Sequence, residues 1–291
     1  LLWAFEGITS YYDDLILVRT GLITQESYLE LLGQVMTRVQ RSEGRLKQTV
    51  SESSFDAWTK FYKQDENATN AIVSYYTKGA LIVLGLDLLL RKLTLGKVTM
   101  DNVMSVLWQE FGLTQTGIKE RELEQRIIEL AAPYIDANDM QVLVDYFEQA
   151  LRSTKDYDVS DLMKGQGVTL HMRAPDSFAD KGGKPSSMKS KRLNAVTLGA
   201  SYAEVQGGVK LSVVVNGGPA HQAGLSAGDV IVAVDCLKVS KNSIESRLSV
   251  FNPNDIVSIH AFRRDELMSF EVTLTQPKQE NAFLPSLSYT S

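Results

Sequence analysis

The chain has 291 residues, 44% of them hydrophobic and 22% charged, with 30 basic against 35 acidic side chains. That length accommodates two domains, and the composition is that of a globular protein rather than a disordered or fibrous one. A formal charge of −5 argues against nucleic acid as a partner, and the longest apolar run, Ala80 to Leu90, is broken by Asp87 and falls far short of the roughly 20 residues a bilayer needs, so no membrane partner is expected.

In chain order, the first 155 residues or so predict helices. The opening stretch, Trp3 to Asp14, places Glu6 and Asp13 seven residues apart. On a helix that is close to two turns, so both acids project from one side. Taken alone they read as a solvated charged face. Thr20-Gly21-Leu22-Ile23-Thr24 is a turn with Thr24 as an N-cap. Tyr28, Leu31, Leu32, Val35, Met36 and Val39 then recur at helical spacing. Gln40 to Ser53 is polar and predicts a loop. Phe55, Trp58, Phe61 and Tyr62 read as core packing, the alternative being a substrate side-chain pocket. Ala80 to Leu93 is apolar nearly all round and predicts a central buried helix, with Tyr75 and Tyr76 just before its start. Thr99 caps a helix through Trp108, Glu120 to Ala132 forms a charged helix ended by Pro133, and Met140, Leu143, Val144, Phe147 and Leu151 mark one more apolar stripe.

Beyond residue 155 the pattern changes. Gly167 to Arg173 alternates like a strand, and Ala174 to Arg192 is a basic, Ser- and Gly-rich stretch that reads as a flexible loop. From Asn194 the signal is β: strands at Val209–Val215, Val230–Val234, Asp255–Phe262 and Phe270–Leu274, with short helices at Ala220–Ala223 and Ser243–Val250. Cys236, the one cysteine, allows no internal disulfide and reads as a small buried hydrophobe. The expected organisation is a helical domain over 1–158, a β domain over 159–277 with its flexible loop at 174–192, and a fraying tail over 278–291.

Three motifs add a resemblance. Phe5-Glu6-Gly7-Ile8-Thr9-Ser10-Tyr11-Tyr12 resembles the Glu-Gly-x-Thr segment of the aminopeptidase N clan of gluzincin peptidases, and is most similar to that of the glycyl aminopeptidase family. Tyr76-Thr77-Lys78-Gly79 resembles the Tyr-x-Lys-Gly motif of the same clan. Gly218-Pro219-Ala220, Ala223-Gly224-Leu225 and Gly228-Asp229-Val230-Ile231 together resemble a bacterial PDZ domain. The resemblance implies an α+β chain: the helical C-terminal half of a thermolysin-like catalytic domain, then a PDZ-like β-sandwich or barrel. It further implies Glu6 as a zinc ligand, Asp13 orienting a zinc-bound imidazole, and Tyr76 stabilising an oxyanion, with Tyr75 left to packing. Zn²⁺ would be the cofactor, and the substrate a peptide with a small N-terminal residue, Gly or Ala. Leu198-Gly199-Ala200 is either a carboxylate-binding loop for peptide C-termini, with the strand 201–205 accepting the peptide, or an ordinary glycine turn.

The sequence departs from that family in one respect. Its three histidines, His171, His221 and His260, do not form the His-Glu-x-x-His motif that carries two zinc ligands and the general base, and His221 reads as a surface residue. The chain starts five residues before Glu6. It is therefore expected to be the C-terminal part of a longer zinc aminopeptidase, binding zinc weakly and inactive alone. The alternatives are a non-catalytic PDZ peptide-binding scaffold and a degenerate peptidase that has lost its histidines.

Overall fold

Two hydrophobic cores, one built on helical and one on strand periodicity, divide the chain. The computed structural model describes residues 1–177, 179–186 and 196–285. The helical body begins with α1 (Leu2–Arg19) and α2 (Gln25–Gln40), where the Thr24 hydroxyl accepts the Ser27 N–H at 3.1 Å as its sequence position requires. Gln40 to Ser53 is not the expected loop. It holds a 3₁₀ turn at Glu43–Leu46 and the start of α3 (Val50–Phe55), which is closed by a reciprocal cap between Thr49 and Glu52. After α4 (Ala68–Ala71) comes α5 (Thr77–Leu93), then α6 (Met100–Leu107), α7 (Glu122–Ala131), α8 (Ala137–Arg152) and α9 (Ser160–Lys164).

Helix α5 is the axis of this body, apolar all round and buried at Ile82, Val83, Leu86, Leu89 and Leu90. Its one buried acid, Asp87, accepts hydrogen bonds from the Tyr11 hydroxyl at 2.9 Å, Arg91 Nε at 2.8 Å and the Met100 N–H at 2.7 Å. Those bonds tie α1, α5 and α6 together and offset the cost of burying a carboxylate.

Helix α2 is covered on a side that its apolar stripe does not announce. Strands β1 (His171–Arg173) and β8 (Asn281–Phe283) pair antiparallel and lie on Gly33 and Thr37. The Thr37 hydroxyl accepts the Ala282 N–H at 2.9 Å, and a Cβ on Gly33 would lie 2.8 Å from Gly183 Cα. The tail beyond 278 therefore does not simply fray: Asn281 and Ala282 are fully buried. Nor is the described part of 174–192 loose. Asp180 bonds Arg173 at 2.6 and 3.2 Å, Gly183 N–H bonds the Ala282 carbonyl, and Lys184 pairs with Glu30 at 3.1 Å. Residues 178, 187–195 and 286–291 lie outside the described residues. Leu162, Met163 and Ala282 all belong to the helical core, so packing does not divide the chain at 158.

Burial opposes ionisation of Asp180, yet the Arg173 guanidinium and the N–H groups of Asp176 and Gly182 outweigh it and hold the carboxyl at about 2. A depressed folded-state value stabilises the fold above the unfolded value, near 4, and that contribution is lost as pH falls through 2. Asp180→Asn is expected to lower stability at pH 7 by about 1–2 kcal/mol. Urea unfolding of both proteins should show the gap closing between about pH 4 and 2. A gap independent of pH would show that Asp180 does not act through its charge.

The second core comprises β2 (Ala200–Val205), β3 (Gly208–Val214), α10 (Pro219–Gln222), β4 (Val230–Val234), β5 (Leu237–Lys238), α11 (Ile244–Leu248), β6 (Ile256–Arg263) and β7 (Glu266–Thr273). The sheet order is β2-β3-β4-β6-β7, with β5 attached to β4. Alternate residues Val257, Ile259 and Ala261 point inward from β6, as a half-buried strand demands. Buried Asp229 accepts both Arg263 Nε and Nη2 at 2.8 Å and caps Ser226 N–H, which explains an acid in the middle of a glycine-rich turn. Cys236 is not buried as its apolar flanks predict. It is exposed, with Asp235, in the tight turn joining β4 to β5, where both residues take positive φ (46° and 60°).

The two cores are joined through Asn70, which is almost fully buried. Its Nδ2 donates to the Val214 carbonyl at 2.8 Å and its Oδ1 accepts the Asn216 N–H at 2.9 Å. Among the described residues no helix is long and apolar enough to cross a membrane.

Candidate active site

Helices α1 and α5 touch backbone to backbone. A Cβ on Gly7 would stand 2.8 Å from the Gly79 carbonyl carbon, and one on Gly79 would stand 3.1 Å from Gly7 Cα and from the Trp3 carbonyl oxygen. Only glycine at both positions permits that approach. The glycines that follow Glu6 and end Tyr-x-Lys-Gly thus define the crossing point. Glu6 directly precedes one of them and Tyr76 stands three residues before the other, at the N-cap of α5. The α1 end of the crossing is pinned by Trp3 N–H donating to Ser54 Oγ at 3.0 Å. The α5 end is held by Lys78, whose buried ammonium pairs with Asp156 at 2.9 Å. The lysine of the motif therefore anchors the helix through Asp156.

The Tyr76 hydroxyl hydrogen-bonds the Tyr62 hydroxyl at 3.0 Å, and Tyr75 donates to the same Tyr62 oxygen at 3.1 Å. The Tyr62 bond holds the Tyr76 phenol above its ordinary value against the opposing effect of Tyr75, with desolvation and then the Glu6 carboxylate adding smaller shifts. The bonds from Tyr75 and Tyr76 lower the phenol of Tyr62, and Glu6 opposes that shift. The Glu6 carboxylate thus raises both phenols, a small effect beside their own hydrogen bonds. Tyr75 is fully buried, and burial drives its phenol up. Tyr62 is the hydroxyl partner of both tyrosines, a contact that sequence reading missed: it placed Tyr62 in an aromatic cluster, either core packing or a substrate side-chain pocket.

That cluster is not core. Phe55 is 89% exposed, Trp58 70% and Tyr62 51%; only Phe61 packs partly against the helical core. Short helix α3 turns Val50, Ser53 and Ser54 inward and leaves Phe55 outside. Trp58 stacks on Tyr62 at 5.0 Å, and Phe61 lies against Tyr75 and Tyr76 at 5.0 and 5.8 Å. Aromatic residues recurring every three or four positions carry no sign that tells inside from outside.

Asp13 lies two turns along α1 from Glu6 and is exposed. Burial raises the carboxyl of its neighbour Asp14, with Asp13 adding to the effect. The histidines are elsewhere: His171 stacks on Phe283 at 5.0 Å, exposed His221 follows the start of α10 and accepts the Gly217 N–H, and His260 is in β6. Among the described residues no three His, Cys, Asp or Glu side chains gather as a metal site.

The second candidate site lies along β2, the end strand of the sheet. Gly199 takes φ +66°, and a Cβ there would lie 3.2 Å from Gly218 Cα. Its N–H is held by Thr197 Oγ1 at 3.0 Å, its carbonyl accepts Val215 N–H, and the Leu198 carbonyl accepts Ala220 N–H, both at 2.8 Å. Leu198 is fully buried, and Gly199 and Ala200 open onto a cavity of about 810 Å³ between the two cores.

Comparison with known proteins follows the same division. Residues 1–82 match the family model of M61 glycyl aminopeptidase, and residues 196–274 match that of the PDZ domain. The chain is similar to a crystal structure of an aminopeptidase N family protein from Idiomarina loihiensis at 40% identity and TM-score 0.90, over 98% of this chain and 47% of that one. It thus spans about half the length of that relative. The serine endoprotease of Yersinia pestis matches at 23% identity and TM-score 0.26, over 28% of this chain and 29% of that one. No curated protein matches. Residues 1–82 are accordingly similar to the M61 glycyl aminopeptidase family, and residues 196–274 to the PDZ domain, within one α+β chain.

Proposed function

We propose that the chain is the Glu6- and Tyr76-bearing portion of a zinc aminopeptidase that removes small N-terminal residues, Gly or Ala, and that its PDZ groove takes peptide ends at Leu198, Gly199 and Ala200. The observation that carries the reading is the Gly7–Gly79 contact, with Glu6 and Tyr76 on either side of it. Tyr76 is in position to donate its hydroxyl hydrogen to a scissile carbonyl as negative charge builds there. Glu6 is one carboxylate donor for zinc, and Asp13, farther along the same helix, is the acid that would orient a ligating imidazole.

The residues present do not by themselves make a zinc site. A catalytic zinc takes three protein ligands and keeps one open position. Glu6 supplies one, and none of the three histidines lies near it. A His-Glu-x-x-His segment would supply the two imidazoles and the proton-accepting glutamate. The 291-residue chain is therefore expected to bind zinc weakly and to lack peptidase activity. Isothermal titration tests this: tight 1:1 zinc binding that Glu6→Gln abolishes would overturn the shortfall. In a longer polypeptide carrying His-Glu-x-x-His, the same substitution should instead lower zinc content and turnover together. The missing imidazoles and the open groove also support a second reading, a peptide-binding scaffold without catalysis. Zinc content and activity of the longer polypeptide separate the two.

A further inference from the structure

The cavity along β2 is not a property of the PDZ domain alone. Its opposite wall is the helical body, which contributes Arg41, directly after α2, and Thr69 of α4. The Asn70 bonds to Val214 and Asn216 fix that wall against the end of β3. Arg41 and the β2 residues Ala200, Ser201 and Tyr202 therefore line one cleft.

Arg41 is half-buried, and its Nη2 donates to the Oδ1 of fully buried Asn281 at 2.5 Å. Among the described residues no carboxylate oxygen lies within 4.0 Å of its guanidinium. Two acids, Glu245 and Glu280, line the same cleft, and a third, Asp180, acts on Arg41 from farther off. Asp180 is bound to Arg173, and Glu280 lies 3.8 Å from Lys278. Burial holds the Arg41 guanidinium below its ordinary value, Asp180 and Glu280 partly compensate from a distance, and Arg173 works against them. A guanidinium carries five donors, and among the described residues the one hydrogen bond Arg41 makes to a side chain is that to Asn281. On the PDZ rim, exposed Lys241 likewise forms no ion pair among the described residues.

We propose that the cleft binds an extended peptide along β2 and that Arg41 selects an acidic side chain on that peptide. The inference rests on the PDZ groove accepting peptides, as read above. Main-chain pairing with the free edge of β2 supplies sequence-independent binding. The helical body supplies the charge preference, through a cation that Asn281 holds in place and that can grip a carboxylate with two parallel bonds. The terminal carboxylate goes to the Leu198–Ala200 loop, so Arg41 reads a residue upstream of it.

The test uses the whole chain and fluorescent peptides with an apolar C-terminus, identical except for Glu or Gln at each upstream position in turn. At one position Glu should bind about tenfold tighter than Gln at low salt, with the advantage shrinking as salt rises. Arg41→Gln should bring the Glu peptide down to the Gln peptide and leave the latter unchanged. Arg41→Glu should prefer a Lys peptide, which guards against loss by misfolding. Amidating the C-terminus should weaken binding equally in wild type and Arg41→Gln. A Glu preference that survives Arg41→Gln, or an Arg41 effect that vanishes on amidation, overturns the assignment but leaves the groove. Absence of binding by every peptide removes the groove reading and this inference with it.

Discussion

Gly7→Ala is expected to destabilise the chain by about 2 kcal/mol or more, although alanine is the better helix former. The propensity gain is about 1 kcal/mol. Against it stands a methyl placed 2.8 Å from the Gly79 carbonyl carbon, 2.9 Å from its Cα and 3.1 Å from its oxygen, all backbone atoms that no rotamer change can move aside. Overpacking of that kind costs about 3 kcal/mol, and relief requires α1 to lift off α5. Urea unfolding of the 291-residue chain measures the loss. Gly117→Ala, where nothing lies within 4 Å, is the matched control and should be neutral. Equal stability of Gly7→Ala and wild type would mean the helices do not touch. In a longer polypeptide with His-Glu-x-x-His, the same substitution should also reduce turnover, because it separates Glu6 from Tyr76 without touching either.

The second large effect is expected at Tyr76. In that longer polypeptide, Tyr76→Phe should reduce turnover at least about 100-fold while zinc content and KM stay near native, the pattern of a donor used only in the transition state. The ring keeps its packing against Phe61 and Tyr75, so the substitution removes one hydroxyl and little else. Tyr62, whose hydroxyl lies 3.0 Å from that of Tyr76, loses a partner but is exposed to water and can replace it. A near-native rate would move the oxyanion role to another residue. Tyr75 is the first to examine, since its hydroxyl reaches the same Tyr62 oxygen from a fully buried ring.

Much of the architecture was legible beforehand where a single periodicity dominates. The all-round apolar run of α5, the continuously apolar strand β4, the alternating strand β6, and the turn chemistry around Gly218 and Gly228 each specify a local structure by their own spacing, and each forms as expected. Thr24 caps α2 for the same local reason. Three expectations failed because burial is decided by what arrives from elsewhere. Phe55 and Trp58 have core-forming side chains but lie outside. Cys236 has apolar neighbours but occupies a turn that holds it in solvent. The polar region near 280 reads as a tail, yet strand β8 is drawn in because Thr37 and the bare backbone at Gly33 offer it a partner 245 residues away.

The sequence by itself determined the paired motifs, Glu6-Gly7 and Tyr76-Thr77-Lys78-Gly79, the glycines of the PDZ turns, and the want of a His-Glu-x-x-His segment within these 291 residues. Such features reside in residue type and short-range spacing. Only the tertiary structure decided that the two motif glycines touch, that Lys78 serves Asp156, that Tyr62 joins Tyr76, and that Arg41 lines the same cleft as β2. Each of those is a contact between segments far apart in the chain, set by how two helices cross or two cores abut, and no local pattern encodes the angle of approach.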